Sequence, residues 1–138
     1  ANDTLIRTVT LEAPPAHGGM PWQAVYYDKA WNLDDAAPRD ALLKAVWAPH
    51  GRYVDPAADL TSPENVSQMI GNFRRVFIGA QVSATSGVGD SGDGWLTFDW
   101  VITSRLGGRV LYEGFDVVHL NADGQVELLA GFFGKRSP

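Results

Sequence analysis

The chain reads as one α+β domain, on three observations: apolar residues recur at helical spacing up to Phe77, the period changes to two from Ile78 onward, and short turn segments join the strands that follow. Helices come first and sheet second, with one short strand between them. That is the order in which helices cover one face of a curved, mostly antiparallel sheet. A length of 138 residues suits a single core, and 45% hydrophobic against 20% charged residues is enough to fill it.

Leu5-Ile6-Arg7-Thr8-Val9-Thr10-Leu11 alternates as an edge strand or extended arm would, and Ala13-Pro14-Pro15-Ala16-His17-Gly18-Gly19 breaks regular structure. Residues 1–20 are therefore set apart as an N-terminal extension, and 21–138 as the domain. A first helix is expected from Pro21 to about Asn32, because proline suits a first turn and Trp22, Val25, Tyr26 and Ala30 recur at helical spacing. A second is expected from Pro38 to Trp47, with Leu42, Leu43, Val46 and Trp47 as its stripe and the acidic Asp34-Asp35 at its positive end.

Gly51-Arg52-Tyr53-Val54-Asp55 is a short strand ended by Pro56. Thr61-Ser62-Pro63-Glu64 has a capping-box arrangement and opens a third helix, with Val66, Met69, Ile70, Phe73 and Phe77 on one face. Strands follow over 78–86, 95–104, 109–121 and 125–134, a meander joined by short turns. Glycine-rich 87–94 has no lysine and lies between strands, so it reads as a mobile loop and not as a phosphate cradle.

Composition excludes several classes of function. A net charge of -5, with basic residues scattered apart from Arg74-Arg75 and Lys135-Arg136, argues against a nucleic-acid partner; the adjacent pairs read as solvated faces. Without cysteine there is no thiolate chemistry and no disulfide. His17, His50 and His119 are not spaced as metal ligands, no serine-hydrolase elbow is present, and no cofactor is expected. No apolar run spans a membrane, and the chain is expected in the cytoplasm, a leader removed before Ala1 being the alternative left open.

Strand parity then singles out side chains. Leu96, Phe98, Trp100 and Ile102 share a face of the strand over 95–104. On 109–121, Val110, Tyr112, Gly114, Asp116, Val118 and Leu120 share one, which makes Asp116 a lone carboxylate in a largely apolar row. Burial would raise its pKa and suit it to carry a proton near neutral pH, whereas an exposed face or a structural hydrogen bond would leave it inert. Asp55 shares a face with Tyr53, but Asp-Pro is a turn signal, and the turn reading outweighs the catalytic one. His119 falls opposite Asp116 unless a bulge intervenes. The candidate wall of an apolar pocket takes Tyr26, Trp31, Met69 and Phe73 from the helices, with Trp47, Tyr53, Phe98, Trp100, Val118 and Phe132 beside them, although such residues more often fill cores.

Two segments carry a resemblance. Trp47-Ala48-Pro49-His50-Gly51-Arg52-Tyr53-Val54-Asp55-Pro56, with the helix from Pro63, is one; Tyr112-Glu113-Gly114-Phe115-Asp116-Val117-Val118-His119-Leu120, with Asn121 to Val126 and Gly131-Phe132-Phe133-Gly134, is the other. With Ala30-Trp31-Asn32 they resemble the nuclear-transport-factor-two-like superfamily, in particular its SnoaL-like polyketide cyclase and ketosteroid isomerase branches, over about residues 21–136. The resemblance implies a cone-shaped fold, α-α-β-α-β-β-β-β, whose sheet wraps a long helix and leaves a pocket. It also implies cofactor-free proton transfer beside a carbonyl of a small apolar molecule.

Asp55 matches the isomerase base and Asp116 the protonated aspartate that donates to the enolate oxygen. Tyr27 matches the oxyanion tyrosine, with Tyr26 as its rival. In the cyclases the residue matching Asp116 is the acid/base of an aldol ring closure. Ser62 stands where the family often has glycine. The paired scheme requires Asp55 and Asp116 to reach one dry cavity, with neither tied into a backbone cap. Its competitors are a non-catalytic ligand-binding module, homodimeric through the outer sheet face at Phe115 and Val117, and a dehydratase or hydrolase using His50 or His119 with an aspartate. Parity favours the last least.

Overall fold

The computed structural model describes residues 22–85, 89–90, 92–106 and 108–134; the arm at residues 5–11, the break at 13–19 and the helix start at Pro21 lie outside the described residues. Helix α1 spans Trp22–Ala30 and buries Ala24, Tyr27 and Ala30. It stops short of Asn32 because that side chain serves another element. Its Nδ2 donates to the Val82 carbonyl and its Oδ1 accepts from the Val82 N–H, both at 2.8 Å, which pins the chain after α1 to strand β3 (Gln81–Ala84).

Helix α2 covers Ala36–Val46, so Pro38 lies within its first turn and does not begin it. Trp47 had the spacing of a helical stripe residue, yet it opens strand β1 (Trp47–Asp55). Pro49 is the reason: it disfavours the helical backbone at Ala48 and cannot donate within a continuing helix. Strand β2 (Ala58–Thr61), absent from the sequence reading, returns antiparallel on β1, with Asp55 opposite Ala58.

Helix α3 (Pro63–Val76) is capped by Ser62, whose Oγ accepts from the Asn65 N–H at 3.3 Å. This replaces the expected Thr61–Glu64 box: Thr61 contributes its carbonyl, which accepts from Asn65 Nδ2 at 2.9 Å.

Strands β4 (Gly89–Asp90), β5 (Trp95–Thr103), β6 (Val110–Leu120) and β7 (Val126–Phe133) complete a sheet of order β2-β1-β7-β6-β5-β3, with β4 paired on β5. Part of the segment read as a mobile loop is thus a short strand, Gly89 opposite Thr97. Neighbouring strands are antiparallel except β1 and β7, which are parallel. The expected strand from Ile78 shortens to β3 because Gly79, at φ 77°, turns the chain out of α3.

One face of the sheet is covered. Phe98, Trp100, Ile102, Val118 and Leu129 from that face pack with Tyr27, Leu43, Val66 and Ile70, and burying each such side chain is worth about 1.5–3 kcal/mol. Arg74 departs from its reading as a solvated face. It is buried, its Nε donates to Asp34 Oδ1 at 2.8 Å, and its Nη1 donates to the carbonyls of Trp31 and Ala80. It therefore ties the loop between α1 and α2 to α3. Buried Arg39 supports the same junction through the Leu33 carbonyl and the Ser67 hydroxyl. Among the described residues, no helix is long and apolar enough to cross a membrane.

Candidate functional site

A cavity of about 340 Å³ opens between the helices and the covered face of the sheet. Of the residues proposed from the sequence, α1 and the turn after it bring Tyr27 and Trp31 to its wall, α3 brings Met69 and Phe73, and the strands bring Tyr53, Asp55, Phe98, Trp100 and Asp116. Four others lie elsewhere. Tyr26 is half-buried off the wall, since the neighbouring helical position points about 100° away from Tyr27. Trp47 is core: its ring packs at 5.8 Å behind Tyr27 and its Nε1 donates to the Gly51 carbonyl at 2.9 Å. Val118 packs with Leu96, Phe98 and Leu129 around a separate void of about 10 Å³. Phe132 is 44% exposed and stacks on Phe115 at 4.9 Å on the outer face; Phe133, sharing the alternation of Leu129 and Gly131, lines the cavity in its place.

The structure adds Asp28, Phe77, Tyr112 and Phe133 to the site. Three of these carried signals. Asp28 is three residues before Trp31 on the same helical stripe, Tyr112 shares parity with Asp116, and Phe77 stood on the predicted face of α3. Neither His50, which is exposed, nor His119 is on the wall. His119 packs against Trp95, with the ring centroids 4.4 Å apart and the planes tilted by 42°, and pairs with Glu127. Among the described residues, no cluster of His, Asp and Glu could hold a metal ion.

Register sets the floor. Asp116 on β6 lies opposite Phe98 of β5 on one side and Gly131 of β7 on the other. A side chain at Gly131 would meet Asp116 Oδ1 at 3.1 Å and the Asp55 Cβ at 3.5 Å, so this glycine leaves the space in which β1 and β6 present their carboxylates. Asp116 is 5% exposed, and Trp100 Nε1 donates to its Oδ1 at 2.9 Å. Burial pushes its carboxyl up to about 7; the Trp100 hydrogen bond works against this, while the charges of Asp55 and Asp28 add to it. Asp28 is pushed up to about 6, again by burial, with a backbone hydrogen bond from Ala84 opposing.

Asp55 reaches the wall but is engaged at both oxygens. Oδ1 accepts the Ala57 N–H at 2.8 Å across the Pro56 turn, and Oδ2 accepts the Tyr53 hydroxyl at 2.6 Å. The turn reading of Asp-Pro therefore describes this side chain even though it faces the cavity. Burial holds the Tyr27 and Tyr53 phenols well above their ordinary value, so both keep their protons; Tyr53 directs its own to Asp55. The arrangement is a largely apolar chamber in which burial raises two carboxyls, Asp116 and Asp28, toward neutrality.

A protein-family scan and a search of curated proteins find no match. Solved structures do match. A provisionally assigned isomerase of the SnoaL-like family from Agrobacterium tumefaciens is 30% identical, with a TM-score of 0.76, covering 82% of this chain and 95% of that one. An NTF2-like protein of unknown function from Exiguobacterium is 17% identical, with a TM-score of 0.65, covering 83% and 99%. A protein of ketosteroid isomerase-like fold from Catenulispora acidiphila, in complex with trimethylamine, is 18% identical, with a TM-score of 0.67, covering 83% and 87%. At the two lower identities the likeness is one of fold alone.

Proposed function

This chain belongs to the SnoaL-like family, and from that premise we propose that it performs cofactor-free acid/base chemistry, moving a proton beside the carbonyl of a small organic molecule, with Asp116 as the proton carrier. The observation that carries this reading is the placement of Asp116: buried on the cavity floor, held by one donor at Oδ1, and pushed to about 7. A carboxyl poised there has both protonation states available at the same pH, as general acid/base catalysis needs. Tyr27, protonated and on the same wall, is the second donor toward a developing enolate oxygen.

The paired scheme with Asp55 as base is not retained. Both oxygens of Asp55 already accept a hydrogen bond, from the Ala57 N–H and the Tyr53 hydroxyl, so a proton taken up there would disturb the bonds that set the Pro56 turn and hold Tyr53. Asp55 instead shapes the floor and holds Tyr53. A volume of about 340 Å³ lies at the small end of ligand sites, roughly 300–1,000 Å³, and suits one or two rings. The test is exchange of the protons beside the carbonyl of 2-tetralone into D₂O, followed by NMR. Asp116→Asn is expected to lower the protein-dependent rate by about 10²–10⁴-fold. Equal rates in the two proteins would overturn the assignment.

A further inference from the structure

Six rings follow one another around the cavity: Trp31, Phe73, Phe77, Tyr112, Phe133 and Trp100. Successive centroids are separated by 5.3, 5.1, 5.8, 5.7 and 5.8 Å. Inside this arc three elements deliver carboxylates, Asp28 from α1, Asp55 from β1 and Asp116 from β6. No lysine, arginine or histidine is among the described residues of the wall. The rest of the fold treats buried charge differently, since Arg74 has Asp34 and Arg39 has backbone carbonyls. Of the cavity carboxylates, Asp116 is nineteen-twentieths buried, and its Oδ1 takes the neutral Trp100 donor rather than a charged one.

We propose that the ligand of this cavity carries a positively charged amine, seated among the rings and countered by Asp28 and Asp116. This rests on the reading of the cavity as a substrate site and names the substrate's class. A carboxylate in an apolar site is costly; a proton removes the cost at low pH, and above the midpoint of Asp116 a cation does. A cation within about 6 Å of a ring centroid and over its face is attracted, so each ring of the arc that turns its face inward adds to the selection of positive charge made by the acids. An anion meets repulsion from both. A bare metal ion lacks its donor set among the described residues, whereas an organic ammonium group also buries carbon against the rings.

The test uses the whole chain and three phenyl probes followed by NMR titration, each below its solubility limit: phenyltrimethylammonium, its neutral isostere tert-butylbenzene, and benzoate. At pH 8 phenyltrimethylammonium is expected to bind on the order of tenfold tighter than tert-butylbenzene, with benzoate weakest. The advantage should shrink at pH 5, where Asp116 and Asp28 hold protons while the probe keeps its charge. Asp28→Asn should cut affinity for the cation on the order of tenfold and leave tert-butylbenzene unchanged.

Equal binding of the cation and its isostere by the wild-type protein, or no binding of the cation at millimolar concentration, would overturn the proposal. That comparison needs no variant, so a folding defect in Asp28→Asn cannot obscure it. The two readings fail separately. A protein that exchanges 2-tetralone through Asp116 but does not prefer the cation loses only the amine, and one that prefers the cation without exchange loses only the proton carrier.

Discussion

Trp100 Nε1 reaches Asp116 Oδ1 at 2.9 Å because Gly114, opposite Trp100 on β6, has no side chain: a Cβ there would stand 2.4 Å from the indole. The hydrogen bond favours the carboxylate and so opposes the effect of burial. Trp100→Phe keeps a ring in the core but deletes the donor. The Asp116 midpoint should then move up from about 7 in a ¹³C NMR titration of labelled carboxyls, and the fold should lose about 1–3 kcal/mol by urea denaturation. A midpoint that stays put or falls would mean that Trp100 does not govern this proton.

Burying Asp116 also leaves a mark on stability. The carboxyl titrates near 3.8 when unperturbed and at about 7 in the folded protein, so between those values the folded state binds more protons than the unfolded one. Its contribution is therefore most favourable below about pH 4 and is lost as pH rises toward 7. Asp116→Asn keeps an oxygen for Trp100 and removes the ionisation. The variant should exceed the wild type by about 2–4 kcal/mol at pH 8, with the difference closing near pH 4 in urea denaturation at the two pH values.

The parts of this molecule that could be read from its sequence are those with a clean period. Leu96, Phe98, Trp100 and Ile102 are all buried, as alternation required, and the same alternation carried Asp116 to the covered face. Period failed where the backbone is irregular. Val126 and Leu129, three apart on β7, are both buried, and the β6–β7 register slips between His119 and Leu120. A strand that changes phase in this way hides which of Phe132 and Phe133 faces inward. Trp47 had helical spacing but follows α2 into a strand. Arg74 was unreadable for another reason: its charge partner Asp34 is 40 residues away, and local pattern says nothing about such a pair.

Ser62 offers a test in which two local effects oppose. It holds φ at 79°, a backbone that favours glycine, while its Oγ caps α3 through a 3.3 Å bond from the Asn65 N–H. Replacing a capping serine by glycine costs only a few tenths of a kcal/mol, whereas an extended backbone at positive φ, here with ψ at 146°, costs a non-glycine residue about 1–3 kcal/mol. Ser62→Gly should therefore stabilise the fold by about 0.5–1 kcal/mol, visible as a higher urea midpoint with an unchanged slope. Ser62→Ala, which loses the cap and keeps the strain, should lower the midpoint.

Asp55 and Asp116 face one cavity but are bonded so differently that conservative substitution should separate them. Asp55 is bound by the Ala57 N–H and the Tyr53 hydroxyl, and an amide at this position keeps one oxygen for those donors. Asp55→Asn should retain 2-tetralone exchange within about tenfold of wild type, while Asp116→Asn loses about 10²–10⁴-fold. Asp55→Ala strips the turn and leaves the buried Tyr53 hydroxyl without its acceptor, costing about 1–3 kcal/mol by urea denaturation. If Asp55→Asn instead loses as much exchange as Asp116→Asn at unchanged stability, the proton is shared between the two carboxylates. The bonds at Asp55 would then have to break during turnover, and the Pro56 turn would be a moving part of the site instead of its frame.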